Sequence, residues 1–174
     1  MTAILDNLKG RADACGYARL LGIKVEELSP GYARTRVKVA PDHQNWMPRT
    51  HGALVMSLAD HAWGISFATL GTRSYVAVQL NVNYLAAPGV GDILIAESRV
   101  IRAGESIGHA QVEVRDPRGK LIATALGTVA AVGEKKSQHP ELGSQALSTP
   151  PSPPPGGLFP THYPSPFLML GENK

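Results

Sequence analysis

The sequence predicts an α+β domain in which a curved six-stranded antiparallel sheet wraps one long central helix. Three observations carry that expectation. The order of elements is two strand-like runs, one long apolar run, then four strand-like runs. Turn material punctuates the strands, and the long run is apolar on most sides, as a helix buried almost all round must be.

Taken in order, residues 3–20 set Ile4, Leu5, Leu8, Ala12, Cys15 and Leu20 among charges at spacings that suit a short amphipathic helix. GIKVEEL and YARTRVKVA flank Ser29-Pro30-Gly31, a turn signal, and together predict a hairpin. In its second run Ala33, Thr35, Val37 and Val39 alternate with Tyr32, Arg34, Arg36 and Lys38, so one face should be wet and basic. A loop carrying Pro41 and Pro48 leads into the apolar run, which ends near Gly71. A helix of about 17 residues is about 25 Å long, enough for a sheet to wrap. YVAVQLNVNYL, DILIAESRVIRA, SIGHAQVEVRD and KLIATALGTVAAV follow, separated by Pro88-Gly89, Ala103-Gly104 and Asp116-Pro117-Arg118-Gly119. The last of these is apolar or small on both faces, as a central strand would be.

A chain of 174 residues with 43% hydrophobic and 18% charged residues fits one globular domain. Its end departs from that pattern: nine of the 14 prolines lie after Ser137. The sequence therefore divides into a folded domain over 1–136 and an extended proline-rich tail over 137–174. The PSPPP in the tail reads either as a ligand for a proline-binding module or, more simply, as a solvated appendage. The folded part carries 16 Lys plus Arg against 12 Asp plus Glu, a net +4. That balance lacks the clustered basic stripe of a nucleic-acid binder, so no nucleic-acid partner is expected. Cys15 is the single cysteine and no secretory leader is visible, which makes the cytoplasm the expected compartment. Asp60 and His61 interrupt the longest apolar run, so no membrane insertion is expected. His43 and His109 fit no metal-ligand spacing, and no metal is expected.

Asp60 is the anomaly. A carboxylate inside NWMPRTHGALVMSLADHAWG costs several kcal/mol if buried without compensation, so it has either a hidden partner or a chemical role. On a helical wheel Ala53, Ser57, Asp60, His61, Gly64 and Ala68 share one sector, all small or polar. Such a seam admits a ligand or a second subunit. At the start of the helix, Thr50-His51-Gly52 offers unpaired backbone amides and the positive end of the helix dipole, suited to an oxyanion. Asp60 lies eight residues further, about 12 Å along the axis, so two antiparallel copies of the helix would aim both groups at one carbonyl better than one copy.

The pattern Asn45-x5-His51-Gly52-x7-Asp60, on an apolar helix between two strands and four, resembles the hotdog-fold acyl-CoA thioesterases, in particular the phenylacetic-acid-degradation type. The similarity runs from about Gly22 to Val132 and includes VAVQLNVNYLAAPGVGD. It implies a homodimer, often paired into a homotetramer, with active sites between subunits and acyl-CoA as the substrate. Carried onto this chain, Asp60 becomes the nucleophile or general base, and the Gly52 amide of the opposite subunit polarises the thioester carbonyl. Asn45 would hold the thioester or the attacking water, and His51 would shape the helix start. Coenzyme A enters only as part of the substrate, and no other cofactor is implied. Family members often carry a serine or threonine where this chain has Ala77; Ser57, Ser74 and Gln79 are the candidate replacements. His61 reads as a pocket or interface histidine, and Trp46, Met47, Trp63 and Phe67 are candidates to reach the acyl group. Two other functions suit the same layout: hydration or dehydration of acyl thioesters, with His51 acting beside a carboxylate, and a non-catalytic acyl-CoA-binding module.

Overall fold

The computed structural model describes residues 2–71 and 73–133. The expected tail over 137–174, and the boundary expected at 136, lie outside the described residues. Two short helices, α1 (Thr2–Asp13) and α2 (Gly16–Leu21), lead into the hairpin of β1 (Lys24–Ser29) and β2 (Tyr32–Lys38). A single 3-10 turn (Pro41–His43) precedes the long helix α3 (Gly52–Ala68). Strands β3 (Ser74–Tyr84), β4 (Ile93–Ala103), β5 (Ile107–Arg115) and β6 (Leu121–Val132) complete one antiparallel sheet of order β1-β2-β4-β5-β6-β3. The chain leaves β2, crosses the sheet as α3 and enters β3 at the opposite edge. The remaining three strands then fill the space between.

The N-terminal helix expected over 3–20 is two helices. The break at Ala14 and Cys15 follows from Asp13, whose carboxylate accepts the amide of Val25 (2.9 Å) and ties the end of α1 to β1. α2 stops at Gly22, which takes the left-handed conformation (φ 70°). The face of β2 expected to be wet and basic is partly covered. Tyr32 is buried, and Arg34 bonds Glu26 and the buried Glu97, both at 3.0 Å; only Arg36 and Lys38 remain exposed. An outward carboxylate on β4, invisible from the pattern of β2 alone, takes up the charge of its cross-strand neighbour Arg34.

The core lies between α3 and the concave face of the sheet, where Leu54, Leu58, Ala62, Trp63 and Phe67 meet Val37, Leu94, Val112, Val114, Ala125 and Val129. Hydroxyls fix the helix end without leaving buried donors unpaired. Ser66 Oγ lies 2.9 Å from Ser98 Oγ, and Thr69 Oγ1 accepts the amide of Gly31 (2.8 Å) while donating to the Ser66 carbonyl. Gly127 on β6 is required by close approach, since a Cβ there would fall inside the Trp63 indole. Gly127→Ala is therefore expected to cost about 1–3 kcal/mol as overpacking and to lower the thermal midpoint measurably in a melting experiment.

Candidate active site

Helix α3 begins at His51, whose ring Nδ1 accepts the backbone amide of Ala53 (3.0 Å). The Leu54 amide bonds the His51 carbonyl (3.0 Å), and the His51 amide bonds the His43 carbonyl (2.8 Å). The Gly52 amide donates to no group among the described residues. One N–H at the positive end of a 17-residue helix is thus left free between neighbours that are satisfied. With His51 Nδ1 taken up by this bond, Nε2 is the ring nitrogen left to meet another group. Its placement is that of an N-cap.

The seam on α3 is shifted from the one read off the wheel. Ala53, Met56, Asp60, Gly64 and Ala68 form the exposed row. Ser57 and His61 turn toward the N-terminal helices instead: Ser57 Oγ lies 2.9 Å from the hydroxyl of Tyr17, and one turn beyond His61, Ile65 packs with Ala12, Val25 and Ala33. The wheel treats the helix as isolated, and α1 and α2 cover the side on which residues 57, 61 and 65 line up. Met56, apolar and outside the small or polar sector of the wheel, is exposed as well.

Asp60 is exposed in the protomer rather than buried, and among the described residues its carboxylate accepts no hydrogen bond and makes no ion pair. Even so, the protein around the carboxyl displaces enough water to raise its pKa above the ordinary aspartate value, against a smaller lowering by His61. The pKa of His61 moves down, mainly through burial, against the opposing charges of Asp60 and Asp13. Its Nε2 is buried with no partner among the described residues.

The edge strand β3 runs antiparallel to α3. Tyr75 packs on Phe67 near the helix end, with ring centroids 4.9 Å apart, and a Cβ on Gly52 would lie 3.3 Å from the Tyr84 ring at the helix start. Gln79 stands four residues from Tyr75, about 13 Å along a strand, and Asp60 seven residues from Phe67, about 10 Å along a helix, so the two stand roughly level. Ala77 and Gln79 flank a bulge at Val78, and all three are exposed. Ala77 brings no hydroxyl, and the hydroxyl of Ser57 is already paired with Tyr17.

Asn45 closes an Asx turn: its Oδ1 accepts the amides of Met47 (2.9 Å) and Arg49 (3.2 Å), which leaves its Nδ2 as the group able to meet a ligand. Trp46, at 88% exposure, and Met47 stand on the surface of the same loop. Trp63 and Phe67, by contrast, are core residues and do not reach the exposed row. Beside the helix start lies a recess of about 190 Å³ lined by Tyr17, Leu21, Asp42, His43, Gln44, His51, Ala53, Leu54 and Ser57. Tyr17 and Leu21 carry no signal of this role in the sequence, because nothing in a short N-terminal amphipathic helix says which side of α3 it will cover. Among the described residues no cluster of His, Cys, Asp and Glu could hold a metal, and no helix is long and apolar enough to cross a membrane.

The profile of the thioesterase superfamily matches residues 47–123, from the Asx-turn loop to the start of β6. A protein of Archaeoglobus fulgidus, named as a candidate esterase, is 32% identical over 115 residues, covering 66% of this chain and 74% of its own. The acyl-coenzyme A thioesterase PaaI of Escherichia coli is 28% identical over 121 residues, covering 70% of this chain and 84% of its own. Among solved structures, a variant of the phenylacetic acid degradation protein PaaI of Thermus thermophilus superposes with a TM-score of 0.63 at 30% identity, covering 67% of this chain and 98% of that one. Six antiparallel strands around one helix, a free amide at its start and a matching superfamily profile agree: the chain belongs to the thioesterase superfamily, with the hotdog fold.

Proposed function

We propose that the protein hydrolyses acyl-CoA thioesters at a site shared between two copies of the chain. The observation that carries this reading is the combination, on one helix, of a free Gly52 amide at its start and an unbonded Asp60 carboxylate of raised pKa on its exposed row. About 12 Å of helix separates them within one protomer, too far to act on one carbonyl, whereas two antiparallel α3 helices bring Asp60 of one copy to Gly52 of the other. The surface suits such a pairing. β3 is an eleven-residue edge strand with Val76, Val78 and Tyr84 exposed, and Trp46, Met47, Met56 and Leu85 add further exposed apolar groups. Unpaired edges and apolar patches of this kind are covered by partners in soluble proteins. The small residues Gly64 and Ala68 permit close helix approach.

In this reading the Gly52 amide donates to the thioester oxygen and Asp60 delivers the attack. As a general base it takes a proton from water as the water oxygen bonds to the acyl carbon; the C–S bond then breaks, and the thiolate leaves and recovers that proton. As a nucleophile it bonds to the acyl carbon and expels the thiolate, forming an anhydride; water then cleaves the anhydride, which releases the acid, regenerates the carboxylate and leaves one proton for the thiolate. A thiolate is a good leaving group, so a carboxylate and one or two amide donors suffice. In the same reading Asn45 Nδ2 holds the substrate or the water, and His51 holds the Ala53 amide so that only that of Gly52 faces the reaction. The named activity of the PaaI relative, an acyl-coenzyme A thioesterase, supports the substrate class.

The test is a thiol-release assay over aryl, short, medium and long acyl-CoAs. Turnover of at least one class is expected, whereas tight binding without turnover would point to a binding module instead. Since Asp60 must be ionised to act, kcat/KM is expected to rise with pH and level off, with an inflection above that of an ordinary aspartate.

A further inference from the structure

We propose that the recess between α2 and the start of α3 receives the acyl chain and that Tyr17 sets the length of chain it accepts. This rests on the thioester reading above. His51 and Ala53, on either side of Gly52, form part of the recess wall, so an acyl group extending from a carbonyl held at the Gly52 amide meets its opening at once. Leu21, Leu54, Ala53 and the Tyr17 ring give it apolar lining. Its volume, about 190 Å³, is little more than that of the roughly 150 Å³ cavity that holds one benzene, so an aryl ring or about six methylene carbons fill it.

Tyr17 is the wall that stops a longer chain. The backbone of α2 is fixed independently of Tyr17: Ala18 is buried in the core, the Ile23 amide bonds the Ala18 carbonyl (2.8 Å), and Gly22 caps the helix. Tyr17 is 59% exposed, yet its hydroxyl reaches Ser57, which is almost fully buried, at 2.9 Å. A ring with one side in water, tied across the recess to the central helix, contributes little to the core. It does form the wall of the recess on the α2 side. Removing it would free roughly the volume of a benzene ring between α2 and α3.

The experiment measures binding of non-hydrolysable alkyl-CoA thioethers of increasing chain length to the full chain and to Tyr17→Ala and Tyr17→Trp. In the wild type, affinity is expected to rise about fourfold per methylene until the recess is full and then level off. Tyr17→Ala should move that plateau outward by about two or three methylenes, a gain of about tenfold or more for long over short chains, and Tyr17→Trp should move it inward. Plateaus that coincide in all three proteins would overturn the proposal, as would a wild type that binds no thioether. Because the thioethers need no turnover, a protein that binds them with the expected length profile but hydrolyses nothing would count against the role of Asp60 and in favour of that of Tyr17.

Discussion

Replacing Asp60 by asparagine is expected to lower kcat about 10²- to 10⁴-fold, the range for losing a positioned acid–base group, with little change in fold. A structural aspartate would behave differently. It would hold hydrogen bonds or an ion pair, and its loss would lower stability; Asp60 has neither among the described residues. The sign of its pKa shift sharpens the contrast. Its folded-state pKa is raised, so the folded protein binds the proton more tightly than the unfolded chain does. Stability is then lost as pH rises from the ordinary aspartate value through the raised one. The asparagine variant has no such charge. At neutral pH it should melt at the wild-type temperature or slightly above it, by an amount that solvent screening of an exposed group keeps small. Loss of turnover without loss of stability would assign Asp60 to chemistry. Equal loss of both would return it to structure.

The second large effect is expected from Gly52→Pro. Proline is favoured at the first position of a helix, where its missing N–H has no intrahelical partner in any case. The preceding His51 already sits at φ −65°, ψ 130°, the extended region that a residue before proline requires. The substitution therefore deletes one amide proton and preserves the helix start. If that proton holds the developing oxyanion, kcat and kcat/KM should fall together by about 10²- to 10³-fold. Gly52→Ala is the control, because its Cβ meets the same Tyr84 ring at 3.3 Å while the N–H is retained. Tyr84 is half-exposed and free to yield, so the alanine variant should keep most of its activity. Equal losses in both variants would trace the defect to crowding at Tyr84 rather than to the amide.

The succession of strands along the chain and the central helix were legible in the sequence because each rests on short-range signals: alternation in β2 and β5, turns at Pro30-Gly31 and Asp116–Gly119, and an apolar run too uniform for a surface helix. The free amide at Gly52 was legible too, since a helix start always leaves N–H groups over and His51 takes only that of Ala53. The side of α3 that faces outward was not. A helical wheel groups Ser57 and His61 with Asp60 because their angles are close, and only tertiary packing moves them under α1 and α2. Asn45 shows the same limit at shorter range, where an Asx turn and a ligand contact compete for one side chain. The structure gives its oxygen to the turn and leaves only its nitrogen for a ligand. The recess depends on Tyr17 meeting Ser57, forty residues apart in sequence, and no local pattern encodes such a meeting.

The central claim is that Gly52 and Asp60 serve one reaction from different chains, and subunit mixing tests it directly. Asp60→Asn and Gly52→Pro are each expected to be nearly inactive, but when dissociated together and allowed to reassociate they should form hybrid dimers in which one of the two sites has both groups intact. With random pairing, activity should return to about a quarter of the wild-type level. If the mixed sample, with hybrids demonstrated to be present, stays as inactive as its parents, the two groups act within a single chain and the shared site is wrong.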